Sequence, residues 1–295
     1  MRAQEQTYLL RARHVKRRHD VPLHSEAQDR EPTLALAHLT YADSMQRDEL
    51  VSWLDDYLDL AAFPDDPSLN GLQVEGSAEV HKVAVAVDCS LTTFEQAAEV
   101  GADMLITHHG LFWGTPLAVA GPHRKRLAYL LERDISLYAA HLPLDAHREV
   151  GNNWGLARLL GLDEPTPFGS WRGRTLGVAG VFPTPMSLRD LADLIERTLG
   201  EAVLVHAGGP IEVSRMGIVS GSAAGIVTEA AAAGLDTFLT GEPKHDHFYD
   251  PFELGVNALY AGHYMTETVG VKLLADELRD RFSLATEFVL LPTGL

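Results

Sequence analysis

Residues 82–110 read KVAVAVDCSLTTFEQAAEVGADMLITHHG, and this stretch decides the fold. Lys82–Asp88 is a short apolar run rich in β-branched residues, the signature of a strand. Ser90 then caps a helix whose Phe94, Ala97 and Ala98 share one face, and Gly101 ends it. Met104–Thr107 is the next strand. A strand, a helix and another strand in close succession form a right-handed crossover, so a parallel sheet is expected here.

The same rhythm extends in both directions. Upstream, Leu50, Val51, Leu54, Tyr57 and Leu58 mark one face of a helix over 48–60. Downstream come a helix over 124–133 and a strand over 135–140. Beyond Trp171, strands are expected at 176–182, 202–206, 215–220, 237–240, 256–261 and 287–291. Helices at 188–199, from Ser222 to Gly234, and at 264–281 separate them. The predicted fold class is therefore α/β: two domains with largely parallel or mixed sheets flanked by helices, and a metal site between them. The first domain spans 45–165 and the second 171–295. The Pro-rich stretch 163–169 reads as the hinge. Residues 1–44, with a basic cluster at Arg11, Arg13, Lys16, Arg17 and Arg18, read as a disordered extension or as a start assigned too far upstream.

A chain of 295 residues that is 46% hydrophobic can bury a full core. It contains no apolar run long enough for a membrane helix and no secretory leader pattern, so a cytoplasmic protein is expected. The single cysteine, Cys89, excludes an intramolecular disulfide and any thiolate-rich metal site. A formal net charge of −17 argues against non-specific nucleic-acid binding. The acid-rich, lysine-poor composition fits either a salty cytoplasm or a GC-rich genome.

Three strand ends carry side chains that bind metals. His108 and His109 follow the strand MLIT, where α/β sheets place their ligands. His141 follows the strand at 135–140, and Asp145 lies four residues later in the loop HLPLDAH. His263 ends a strand, and Glu267 sits one helical turn on, a spacing that points both side chains to one face. His108, His109, Asp145, His263 and Glu267 are thus the expected ligands of two divalent metal ions. Nitrogen and oxygen donors suit Zn, Fe, Mn, Co or Ni without selecting among them. Two such ions can activate a water and clamp both oxygens of a displacement. His141 is the candidate proton carrier or a sixth ligand, and Glu242 a second candidate for acid or base chemistry. His147 reads as a solvent-facing loop residue. The loop 220–225, SGSAAG, could hold a phosphate or be an ordinary strand-to-helix turn.

Five motifs in order, NGLQVEG (70–76), ITHHGLFWG (106–114), HLPLDAHREVGNN (141–153), TGEPKHD (240–246) and GHYMTETVGV (262–271), resemble the GTP cyclohydrolase 1 type 2 family. Its members are also called Nif-three-like dinuclear metal centre hexameric proteins. The resemblance runs from about Met45 to the C-terminus. It implies a toroidal homohexamer, with His108, His109, Asp145, His263 and Glu267 matching the family's ligands. It further implies hydrolysis of a small phosphorylated or nucleotide substrate. Two other functions stay open: a non-catalytic assembly that stores or delivers metal, and a regulatory protein acting through a partner.

Overall fold

The computed structural model describes residues 44–295. The expected extension therefore lies outside the described residues, apart from Ser44. In chain order the first half comprises β1 (Met45–Gln46), α1 (Arg47–Tyr57), β2 (Gly71–Val74), β3 (Glu79–Val80), β4 (Lys82–Ala86), α2 (Leu91–Glu99), β5 (Met104–Thr107), α3 (Gly121–Leu131), β6 (Ser136–Ala139), α4 (Leu142–Ala146) and α5 (Asn152–Leu160). There follow β7 (Asp163–Trp171), β8 (Arg174–Ser187), α6 (Leu188–Leu199), β9 (Leu204–Ala207), β10 (Glu212–Ile218), α7 (Val227–Ala232), β11 (Thr237–Thr240), α8 (Asp250–Leu254), β12 (Asn257–Tyr260), α9 (His263–Phe282) and β13 (Ala285–Phe288).

The deciding stretch folds as its residues dictate. Ser90 Oγ accepts from the Thr93 amide while Thr93 Oγ1 accepts from the Ser90 amide, so α2 starts on a reciprocal cap. The strand β4 pairs in parallel with β5, and β5 with β6. Within β4 the side chains alternate between two cores: Val83 and Val85 join one, Ala84 and Ala86 the other. A strand covered on both faces needs no polar alternation, which is why VAVA reads as an unbroken apolar run.

Two mixed sheets result. The first has five strands in the order β13-β4-β5-β6-β2, and the second has six in the order β7-β8-β10-β11-β12-β9. In the second, β10, β11 and β12 are parallel, while β8 and β9 flank them antiparallel. The helix α9 joins the two: Val271, Leu274 and Leu278 lie in the first core and Val269 in the second. Among the described residues no helix is long and apolar enough to cross a membrane.

Two expectations are corrected. The stretch 163–169 is not a hinge but part of β7, which pairs along β8. Its prolines are tolerated because β7 is an edge strand, where a missing N–H breaks no interior ladder. The segment HLPLDAH is not a loop, since Leu142–Ala146 forms α4 with its proline in the first turn.

Candidate metal centre

His108 and His109 leave β5 still paired to the neighbouring chain segment, their amides donating to the carbonyls of Ala86 and Val87. The side chains then diverge toward one space. His141 enters from the end of β6, and Asp145 from α4. His263 and Glu267 come from the first turns of α9, which follows β12. The space thus lies where strand ends of both sheets meet.

All six expected residues converge. Ligand atoms of His108, His109 and His141 lie within 4.8 Å of one another, as do those of His109, His263 and Glu267, and those of His108, Asp145 and Glu267. His108 and Glu267 are buried, with 0% and 3% of their surface exposed. Glu242, the other expected catalytic residue, stands at the margin with Oε1 3.5 Å from His263 Nδ1.

Three of the imidazoles are fixed from behind. His108 Nδ1 donates to the Ala140 carbonyl at 3.0 Å, an oxygen that can only accept. His109 Nδ1 meets Asp88 Oδ1 at 2.7 Å, and His141 Nδ1 meets Asp66 Oδ1 at 2.9 Å. Each bond sets the ring so that Nε2 is turned toward the shared space. Asp145 is anchored similarly: its Oδ1 accepts from Asn152 Nδ2 at 2.8 Å and from Ser220 Oγ at 2.9 Å. Its Oδ2 is left 3.6 Å from His108 Nε2.

The inward-facing atoms are poorly matched to one another. His108 Nε2 and Glu267 Oε2 are buried without a hydrogen-bond partner. His108 Nε2 lies 3.5 Å from Glu267 Oε1, and His109 Nε2 3.2 Å from Oε2. With Nδ1 carrying the proton, these are lone pairs set against carboxylate oxygens. A low-dielectric interior tolerates that arrangement only with positive charge between them. Protons answer the demand in part. Burial alone would lower the His108 imidazole, but the Asp145 and Glu267 carboxylates overcome it and push the group up to about 9. His263 likewise rises to about 9, because Glu267 and Glu242 outweigh burial. Burial of Glu267 works to raise its carboxyl, yet His108, His263 and His109 hold it well below the usual range. Nitrogen and oxygen donors converging on such a demand fit divalent metal ions.

Backbone geometry protects the space. Gly221 has φ +64°, and a Cβ there would fall 2.2 Å from Glu267 Oε1. The SGSAAG loop thus serves the site directly, through Gly221 and through Ser220 on Asp145. Sequence reasoning missed Asp66, Asp88, Asn152 and Gly221, none of which lies in a metal-ligand spacing. Asn70 and Asn152, in two of the quoted motifs, were the available signal: Asn70 Oδ1 accepts from the His141 amide at 2.8 Å. His147 is not a solvent-facing loop residue, for its Nε2 donates to the Tyr57 carbonyl at 2.9 Å and its Nδ1 accepts from the Val150 amide at 3.2 Å. The cluster itself lines a cavity of about 470 Å³, whose other walls include Trp113, Trp171, Leu176, Val219, Lys244 and His247.

Residues 45–293 match the family model described as Duf34/NIF3 (NGG1p interacting factor 3). A Deinococcus radiodurans protein named GTP cyclohydrolase 1 type 2 homolog is 52% identical over 89% of this chain and 100% of its own length. A protein of the same name from Pyrococcus horikoshii is 46% identical over 85% of this chain and 100% of its own. A solved structure of a Thermus thermophilus protein superposes with a TM-score of 0.80 at 50% identity, covering 85% of this chain and 100% of that one.

Proposed function

The chain belongs to the Duf34/NIF3 family, and we propose that it is a dinuclear metal protein that hydrolyses a small phosphorylated or nucleotide-like substrate. The observation that carries this reading is the convergence of imidazole nitrogens and carboxylate oxygens on one space, with His108 Nε2 and Glu267 Oε2 buried and unpartnered. His108, His109, Asp145, His263 and Glu267 would hold the ions, their ligand atoms falling into overlapping groups within each of which all atoms lie within 4.8 Å of one another. Two divalent ions bound there would supply an acidified water and a polarised electrophile.

The protein's own groups do the rest. Asp66 fixes His141 with Nε2 toward the cluster, where it takes the proton of the attacking water and returns it to the leaving group. Glu242 steadies the His263 ring and serves as the second proton carrier. Trp113, whose Nε1 donates to the Gly110 carbonyl at 3.0 Å, screens His141 from bulk water. Zn, Fe, Mn, Co and Ni all suit these donors. We further propose a cytoplasmic homohexamer, on the strength of the resemblance in the ligand motifs.

The test is element analysis of the purified protein, followed by a turnover screen against GTP, other nucleotides and phosphoesters, with His109→Ala as control. Near two ions per chain and turnover lost in the variant are expected. Metal that exchanges freely with chelators, without turnover of any substrate, would favour a storage or delivery role instead.

A further inference from the structure

Asn152 and Gly270 stand 118 residues apart in the sequence and are in direct contact. Asn152 opens α5, is 0% exposed, and uses both ends of its amide. Its Nδ2 donates to Asp145 Oδ1 at 2.8 Å, and its Oδ1 accepts from the Gly270 amide at 2.6 Å. Amides this far inside a helix ordinarily bond within it. An outside acceptor at that distance therefore fixes how α9 is turned and how deeply it sits.

Gly270 follows Glu267 by three residues, as Glu267 follows His263 by four, so all three share one face of α9. The contact admits no side chain: a Cβ on Gly270 would fall 2.7 Å from Asn152 Oδ1 and 3.1 Å from the Asn152 amide nitrogen. Close by, a Cβ on Gly155 would fall 2.5 Å from Val269 Cγ1, so α5 and α9 meet nearly backbone to backbone. The next residue, Asn153, is equally buried but reaches elsewhere. Its Nδ2 donates to the carbonyls of Asp145 and Leu176, and its Oδ1 accepts from the Ser220 amide at 2.7 Å. Of this pair, Asn152 alone reaches α9.

We infer that Asn152 is a positioning residue that couples the ligand carried by α4 to those carried by α9. By holding Asp145 Oδ1 it leaves Oδ2 directed at His108 Nε2. By holding Gly270 it sets the helix that carries His263 and Glu267 at a fixed distance from that carboxylate. A neutral amide does this without adding charge to the cluster. The inference rests on the metal-centre reading and concerns the spacing of its ligands, not the reaction.

The experiment is titration of metal-free protein with Co(II), an ion these donors suit, against a chromophoric chelator, with the visible spectrum recorded. Asn152→Ala should weaken cobalt binding about 10- to 100-fold and shift the visible bands. Gly270→Ala, whose methyl meets Asn152 and no proposed ligand, should weaken binding comparably. Combined with Asn152→Ala it should add little, because the methyl then enters vacated space. Should Asn152→Ala not fold, Asn152→Asp carries the test: it keeps the acceptor for Gly270, loses the donor to Asp145, and should bind cobalt more weakly. Wild-type affinity and spectrum in Gly270→Ala, or losses that are fully additive in the double variant, would overturn the coupling. A merely structural role would lower the melting temperature of the metal-free variants and leave affinity and spectrum unmoved. If the wild type takes up no cobalt, the metal-centre reading falls, and amide exchange of the metal-free protein judges the tie. Peptides covering 142–146 and 266–271 should both exchange faster in the Asn152 variant, and unchanged exchange in either would refute it.

Discussion

At the scale of single residues, the groups behind the proposed ligands should matter as much as those ligands themselves. Asp66 and Asp88 each hold the rear nitrogen of an inward-facing imidazole. Asp66→Asn and Asp88→Asn should lower metal affinity by about 10- to 100-fold, measured by competition with a chromophoric chelator. Gly221→Ala should do worse, because its methyl would occupy the space of Glu267 Oε1. Acidity gives an independent handle. In the metal-free protein His108 and His263 hold protons up to about 9, against 6.5 for an ordinary imidazole. Their contribution to stability is fully present below 6.5 and is lost as pH rises through 9. Glu267 works in the opposite sense, stabilising above 4.5 and losing its effect as pH falls below that. Chelator-treated protein should therefore melt at lower temperature as pH is raised from 6.5 to about 9, whereas metal-loaded protein should not. Metal uptake at neutral pH should also release protons, detectable in a weakly buffered solution.

At the scale of elements, caps and edges decide what forms. Ser187 Oγ accepts from the Asp190 amide at 3.1 Å at the start of α6. Removing that acceptor in Ser187→Ala should cost about 1 kcal/mol in denaturant unfolding. The strand ends bearing His108, His141 and His263 were legible, because short-range patterns determine them. The hinge reading of 163–169 failed for a complementary reason. Proline marks an absence of N–H donors, and whether that breaks a strand depends on which edge faces the neighbour, a fact about pairing in three dimensions. The helix α4 escaped notice because its five residues are too few for a helical period to show. Of the site, the residues that touch the shared space were legible. Asp66 and Asp88 were not, since a carboxylate acquires its role only when a distant imidazole is brought beside it.

At the scale of the whole molecule, two sheets are joined by a site and a helix. The strand β13, at the far end of the chain, pairs in parallel with β4 in the first sheet, a long-range contact that no local pattern announces. Metal should behave as a ligand of the folded state: at free metal 100 times the dissociation constant, stability rises by about 2.7 kcal/mol. Differential scanning with and without chelator checks this. A chromatographic mass six times that of the 32.2 kDa chain is expected for the proposed hexamer, measured by light scattering.

The helix α9 runs for 20 residues, with Glu267 near its start and Leu278 fully buried near its end. Eleven residues of rise place these two positions about 16 Å apart on one rigid rod. Occupancy at one tip therefore steadies a keel to which both halves of the hull are nailed. Amide exchange around Leu278, far from any ligand atom, should slow when the ions are bound.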